Sequence, residues 1–280
     1  MILFSAVTAA ASVRIQVIDR GQADGILIRT PNHHWIVIDA GTNGQQADAM
    51  SDEWGVDKVE LAVVSHRHFD HHGGMDNVIN AIDTERFVGI FDDCPDRTSD
   101  DTVRNAVSAR GVIVEPLTGL PRTIEIDELV LTILPMPARS ECPDHENNNS
   151  LVVRLDHGDF SMLFTGDAEI EELSWLVENH GALLDVDVLK ASHHGSNNGR
   201  TTEFLAAASP ERVVISAGVN ATYRHPHANA VSDYLNVTDN RVYCTNRHGT
   251  IRVYGYPNGN VRVYRQFDNN KSCVYDGTHY

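Results

Sequence analysis

Along this chain short apolar or alternating stretches, bounded by turn residues, exchange places with stretches of helical spacing. The first of them predict strands at Val13–Ile18, Gly25–Thr30 and His34–Asp39, with Thr30-Pro31-Asn32 turning the chain between the last two. Gln45–Trp54 predicts a helix. Val59–Ser65, almost continuously apolar, predicts a strand covered on both faces. Helices over Met75–Ile82 and Asp100–Ala109 then alternate with short strands at Arg86–Phe91 and Val112–Glu115. A strand-rich stretch follows at Thr123–Ile126, Leu129–Leu134, Ser150–Leu155 and Phe160–Thr165. The alternation resumes with helix Ala168–His180, strand Val186–Lys190, helix Thr201–Ala208, strand Arg212–Ser216 and helix Asn229–Asn236. Strands near Arg241–Cys244, Thr250–Tyr254 and Val261–Tyr264 come last. Two halves that each supply strands and helices predict an α/β fold of the layered α+β kind: a four-layer αββα sandwich, two sheets face to face with helices outside.

Composition narrows this picture a little. The 280 residues read as one domain over 13–280, preceded by residues 1–12 as a signal remnant or a disordered start: an apolar run ending in small residues, without a basic stretch before it. The compartment therefore stays open between cytoplasmic and exported. No stretch approaches the ~20 apolar residues of a membrane span. A net charge of −17, from 22 basic and 39 acidic residues, argues against a strong electrostatic footprint on nucleic acid. Bound divalent cations would reverse that sign locally, so a nucleic-acid substrate is not excluded. Cys94, Cys142, Cys244 and Cys273 are too few and too scattered for a disulfide framework, though one or two bridges are compatible with export; whether Cys94 and Cys142 pair is open. Oligomeric state is not readable.

The chemistry is concentrated directly after the strand Val59–Ser65, in His66-Arg67-His68-Phe69-Asp70-His71-His72-Gly73-Gly74. Imidazole and carboxylate suit zinc, manganese or iron. His66 and His68, two apart, can point at one metal from an extended loop, while Asp70 and His71 serve a second. A His-rich surface loop is the bland alternative, and this density of ligand types speaks against it.

His66-x-His68-x-Asp70-His71 resembles the signature of the metallo-β-lactamase fold superfamily. Asp39 in Ile36-Val37-Ile38-Asp39-Ala40-Gly41 resembles that fold's buried aspartate after an early strand. Leu163-Phe164-Thr165-Gly166-Asp167 resembles its strand ending in a carboxylate that bridges both metals. Lys190-Ala191-Ser192-His193-His194-Gly195-Ser196 resembles its late histidine motif. Within the superfamily the chain is similar to the soluble hydrolase branch related to the ComEC/Rec2 DNA-uptake protein, on Val17–Asp24, Asn147–Val153 and Tyr223–His227. The resemblance implies a metallo-β-lactamase-like fold and two divalent cations, zinc first, manganese or iron as alternatives. It implies metal ligands His66, His68, Asp70, His71, Asp167 and His193. His193 is preferred to its neighbour His194, which is left as a ligand, a support for a ligand or a substrate contact. Asp39 and His145 are further candidates as ligands or supports, although His145 is out of register with the usual third histidine. Asp19 and Asp24 are supports or turn residues, and Asn149 a substrate contact. Asp70 and His225 are assigned to catalysis: Asp70 orienting a metal-activated hydroxide, His225 as proton donor or oxyanion partner, with His227 starting the next helix.

The activity expected is hydrolysis of a phosphodiester, as a small-molecule or oligonucleotide ester. His68 stands where redox di-iron relatives carry a carboxylate, which disfavours electron transfer. Two alternatives keep the same residues: an acyl hydrolase acting on lactones or β-lactams, and a metal-stabilised binding module without turnover.

Overall fold

A computed structural model of the chain describes residues 11–90, 99–134 and 146–279. His145, Cys94, Cys142 and nearly all of the first 12 residues lie outside them. In chain order the first half runs β1 (Val13–Val17), β2 (Gly25–Arg29), β3 (Trp35–Ala40), α1 (Gln45–Asp48), β4 (Lys58–Val63), α2 (Phe69–His72), α3 (Met75–Ala81), β5 (Asp83–Val88), α4 (Ser99–Arg110) and β6 (Ile113–Val114). The second half runs β7 (Arg122–Ile126), β8 (Leu129–Leu134), β9 (Val152–His157), β10 (Phe160–Phe164), α5 (Ile170–His180), β11 (Val188–Lys190), α6 (Thr202–Ala208), β12 (Arg212–Ile215), α7 (Ala228–Val237), β13 (Val242–Cys244), α8 (Thr245–His248), β14 (Ile251–Gly255) and β15 (Val261–Arg265).

Among the described residues these strands form two sheets, in the orders β15-β14-β1-β2-β3-β4-β5-β6 and β13-β12-β11-β10-β9-β8-β7. The last two strands return to flank β1, so chain closure joins the second half to the first sheet. Alternation places Val13, Ile15 and Val17 on the inner face of the first sheet. There they share a buried layer with Leu129, Leu131, Val153, Leu155, Phe160 and Met162 of the second. Outside the first sheet, Met75, Val78 and Ile79 of α3 and Val103 and Val107 of α4 cover Val37, Val59 and Ala62. Outside the second, α5, α6 and α7 cover Leu163, Leu189 and Val213. Helix, sheet, sheet and helix give the four layers that the pattern predicts.

Local differences have local causes. The stretch predicted as one helix, Gln45–Trp54, is an α turn followed by a wider π turn, Ala49–Glu53, ending at Gly55 with φ +61°. The strand expected from Ser150 starts at Val152, because Ser150 is committed elsewhere: its hydroxyl donates to Asn147 O at 2.9 Å and accepts the Asp167 N–H at 2.9 Å. The helix expected from Ala168 starts at Ile170, where the Asn148 side chain accepts the N–H groups of Glu169 (3.0 Å) and Glu172 (3.3 Å) and caps the free end. No helix among the described residues is long and apolar enough to cross a membrane.

Candidate two-metal site

Parallel strands β3, β4, β10, β11 and β12 end toward one edge of the sandwich, and the loops leaving them carry the chemistry. At the end of β3, Asp39 is buried and held at φ +56°, a conformation costly for a residue with a Cβ. Its carboxylate accepts the Ser65 N–H (2.7 Å), the Ser65 hydroxyl (2.6 Å) and His71 Nδ1 (2.8 Å). Asp39 is therefore occupied as an anchor. It ties the loop after β4 to β3 and turns the other ring nitrogen of His71 outward into the site. That loop closes into the single turn α2, with the His71 and His72 N–H groups both donating to His68 O (3.0 and 3.1 Å). The turn sets Asp70 and His71 beside His66 and His68. His66 Nε2 lies 3.1 Å from His68 Nδ1.

Asp167 enters from the end of β10. Its approach depends on Gly166, at φ +51°, where an added Cβ would stand 2.8 Å from Ser150 Oγ and 2.9 Å from Ser65 Cβ. Asp167 Oδ1 lies 3.2 Å from His71 Nε2, and Oδ2 lies 3.6 Å from His194 Nε2 and 3.8 Å from His193 Nε2. His193 and His194 follow β11, both in the left-handed region at φ +45° and +53°.

Two donor groups result, Asp70–His71–Asp167–His194 and His66–His68–Asp167, each with its donor atoms within 4.8 Å of one another and with Asp167 common to both. His71 Nε2, Asp167 Oδ1 and His194 Nε2 are buried without a hydrogen-bond partner. Buried polar atoms left so are costly, and convergent imidazole and carboxylate atoms of this kind fit divalent cations. The geometry reverses the order expected for the adjacent histidines. His194 is buried, donates through Nδ1 to Ser216 O (2.9 Å) and points Nε2 to 3.3 Å from Asp70 Oδ2. His193 sits at the rim with its Nδ1 3.3 Å from Glu169. The reason is backbone: two successive left-handed residues swing the second ring inward, which residue type alone does not reveal.

The charges are strongly coupled. Burial pulls the His71 imidazole down, but the Asp167 and Asp39 carboxylates outweigh it and hold it well above its ordinary value. His194, buried but facing Asp167, Asp24 and Asp70, is raised to about 10. Burial pushes the Asp167 carboxyl up, and the His71, His194 and His193 rings beside it hold it well below the carboxylate range. Asp70, against His194 and His71, is lowered to about 2 in spite of burial. His66 goes the other way, far down, through burial and the adjacent His71. A cation bound among these groups would take the place of the protons that the imidazoles hold on their facing nitrogens.

Beneath the site Lys190, fully buried, brings its ammonium 2.7 Å from Asp24 Oδ2, while Asp24 Oδ1 lies 3.4 Å from His194 Nδ1. Asp24 thus supports His194. Asp19 accepts the Gly21 N–H (3.1 Å) and shapes its own turn. Behind the histidine loop, Arg67 and Glu146 form a buried pair: Glu146 Oε1 accepts Arg67 N (3.1 Å) and Nε (2.8 Å), and Oε2 accepts Nη2 (2.8 Å). Asn149, expected at the substrate, is instead 5% exposed with its amide 3.5 Å from Glu146 Oε2, because the Asn147–Ser150 turn folds inward to hold Asp167.

His225 precedes a cis peptide to Pro226, and its ring centroid lies 5.2 Å from that of His193 and 6.4 Å from that of His194. Gln22 orients it. The Gln22 amide oxygen accepts the Gly218 N–H (3.4 Å), which leaves the amide nitrogen to donate to His225 Nδ1 (3.3 Å). Burial and the neighbouring His193, His194 and His227 push His225 down to about 3. His227 stands at the start of α7, as expected, with its Nδ1 accepting the Asn197 N–H (3.0 Å). Lys190, Gln22, Ser65, Arg67 and Glu146 were not singled out from the sequence. Lys190 and Gln22 lie inside the motif segments, where a lysine ending an apolar strand is the one signal available.

A Cys244–Cys273 disulfide, a pairing within the one or two bridges that the sequence left open, joins β13 to the C-terminal tail.

The profile of the family described as Metallo-beta-lactamase superfamily matches residues 18–219. ComE operon protein 3 of Bacillus subtilis (strain 168) is 28% identical over 278 residues, covering 91% of this chain and 34% of that protein. Competence protein ComA of Neisseria gonorrhoeae is 28% identical over 254 residues, covering 90% of this chain and 33% of that protein. The chain thus spans about a third of the length of these curated relatives. Among solved structures, CmlA, a diiron beta-hydroxylase from Streptomyces venezuelae, superposes with a TM-score of 0.54 at 13% identity, over 92% of this chain and 55% of that one. Igni18, a metallo hydrolase from Ignicoccus hospitalis, superposes with a TM-score of 0.51 at 13% identity, over 91% of this chain and 100% of that one. At such identity these two speak for the fold alone.

Proposed function

The chain belongs to the metallo-beta-lactamase superfamily, and from that premise we propose that it is a two-metal phosphodiesterase. The observation that carries this reading is the convergence of the buried donor atoms of His71, Asp167 and His194, which make no hydrogen bonds, beside those of His66 and His68. In this reading Asp70, His71 and His194 would hold one cation and His66 and His68 the other, with Asp167 within reach of both donor groups. Zinc or manganese suits such donors. When bound, the pair supplies an activated water and charge to brace the attacking and leaving oxygens.

The chain's own residues do the rest. Asp39 fixes the His71 tautomer by accepting the hydrogen bond of its Nδ1–H, and the Ser216 carbonyl, with Asp24 beside it, does the same for His194. The Gln22 amide makes His225 Nδ1 an acceptor, so the ring carries its proton on Nε2. Held neutral by burial, His225 serves as a hydrogen-bond donor to charge developing on the phosphoryl or leaving oxygen, the oxyanion role rather than that of a proton donor. His68 at the place where di-iron relatives carry a carboxylate favours hydrolysis over redox chemistry. The similarity to competence proteins favours a nucleotide ester as substrate, and the net charge of −17 favours a short one. The Cys244–Cys273 bridge supports an oxidising compartment outside the cytoplasm.

The test is turnover of bis(p-nitrophenyl) phosphate with Mn²⁺ or Zn²⁺, beside Asp70→Ala and Asp167→Ala. Metal-dependent turnover lost in both variants is expected. A metal-loaded parent chain that leaves the diester intact while opening lactones or nitrocefin would refute the proposed substrate class.

A further inference from the structure

Beside the loop that carries His225, the structure forms a cleft of about 420 Å³ bounded by Arg224, Pro226 and His227 from that loop and by Val274, Tyr275 and Asp276 from the C-terminal tail. The first wall belongs to the loop that carries His225: the His227 ring centroid is 4.7 Å from that of His225. The second wall is the C-terminal tail, and it is built rather than draped. The Cys244–Cys273 bridge ties the tail to β13 directly before Val274. The buried Arg247 guanidinium then donates to Ser272 O (3.0 Å), Val274 O (3.2 Å) and Thr278 O (2.8 Å) and pairs with Asp276 at 2.6 Å. Tyr275 N–H donates to Pro226 O at 3.0 Å and closes the tail onto the His225 loop.

The lining chemistry selects a class of ligand. Val274, Pro226 and two alanines give the lining its apolar part, Tyr275 brings an aromatic ring, and Arg224 and His227 bring polar groups. Pairing with Arg247 neutralises the one carboxylate. A few polar groups in an apolar lining mark a small-molecule pocket. An aromatic ring beside an arginine is a stacking platform for a nucleobase.

We propose that this cleft receives the nucleoside part of the substrate, with Tyr275 and Arg224 engaging the base while the phosphate reaches past His225 to the site, so that the disulfide-held tail acts as a specificity wall. This rests on the phosphodiesterase reading, and it adds a residue set outside the metal centre.

The experiment measures binding of thymidine 5′-monophosphate and of inorganic phosphate to the metal-loaded protein by calorimetry, for the parent, Tyr275→Ala and Cys244→Ala/Cys273→Ala. The nucleotide should bind at least tenfold more tightly than phosphate. Both variants should lose about 5- to 100-fold for the nucleotide, the worth of one stacked base, and bind phosphate as before. Tyr275→Ala, a change in a half-buried tail residue, keeps the test valid if the cysteine variant fails to fold. A single-stranded tetranucleotide run alongside separates sources: tighter binding than the mononucleotide assigns the cleft to a strand end, equal binding to a free nucleotide. Nucleotide binding no tighter than phosphate, or unaffected by Tyr275→Ala, overturns the proposal. Turnover of bis(p-nitrophenyl) phosphate in the same samples tells the two failures apart. A turning-over enzyme without nucleotide preference loses only the pocket; a Tyr275-dependent nucleotide binder without turnover loses only the phosphodiesterase reading.

Discussion

Replacing Lys190 by Met exchanges a fully buried ammonium for a thioether of similar length under the candidate metal site. In the parent chain the ammonium lies 2.7 Å from Asp24 Oδ2 and donates to Ala191 O at 3.0 Å, and neither side chain is more than 1% exposed. Removing one partner of a buried pair costs up to ~3–5 kcal/mol, and here His194, 3.4 Å from Asp24 Oδ1, still faces the carboxylate that Lys190 leaves behind. Unfolding entropy of ~2.1 cal/mol/K per residue makes 1 kcal/mol worth about 2 °C in a chain of this length, so the melting temperature should fall by up to about 5–10 °C. The pH dependence carries the sign. In the parent, burial pushes the Asp24 carboxyl up, but Lys190 and His194 overcome it and hold it well below the usual range. Its contribution to stability is therefore present above ~4, the unfolded value, and lost only in strong acid. Without Lys190 only His194 and His71 still oppose burial, so the carboxyl rises from its parent value and protonation relieves part of the penalty as pH falls. Thermal unfolding with chelator present, followed by circular dichroism at pH 8 and pH 5, should show a wide gap between parent and variant that narrows in acid. Asp24→Asn/Lys190→Met, which removes both charges, should recover much of the loss. A drop under about 2 °C, a gap independent of pH, or full additivity in the double variant would refute this account of the buried charges.

Other outcomes follow from the same geometry. Chelation should lower the melting temperature, and Zn²⁺ or Mn²⁺ at a hundred times its Kd should restore about 2.7 kcal/mol; a chain that melts identically with and without metal has no such site. His225→Ala should lower kcat on a diester by about 10²–10³, as loss of an oxyanion donor does. The shape of its pH–rate profile between pH 5 and 8 should not change, since the parent ring is neutral there; a shifted alkaline limb would instead mark a proton donor. Arg67→Met and Glu146→Gln should each cost ~3–5 kcal/mol in urea unfolding and the double variant much less than their sum. Cys244→Ala/Cys273→Ala, opening a loop with a sequence separation of 29, should cost about 3–4 kcal/mol; an unchanged urea midpoint would show that the bridge does not form.

Much of the architecture is legible in the chain because strand and helix periods are local properties. Val13–Val17, Leu129–Leu134 and Met75–Ala81 appear within a residue or so of where alternation and spacing place them. Errors gather where a side chain serves a distant element. Ser150 leaves its strand to hold Asp167, and Asn148, just before that strand, caps α5, because each satisfies backbone groups that no local pattern announces. The histidine cluster after β4 is legible as candidate chemistry for the opposite reason: its donors are contiguous.

What the sequence alone determined is therefore the layered fold and the candidate ligand loops with the type of chemistry their residues suit, since residue type and short-range spacing are written in it directly. Tertiary structure decided which atoms meet. His194 rather than His193 turns inward through two left-handed residues, and Asp39 is used up on Ser65 and His71. Lys190 neutralises Asp24 from 166 positions away in sequence, and Cys273 brings the tail back to β13. Those contacts depend on where two packed sheets bring the ends of separate strands, and no periodicity within one segment encodes the distance to another.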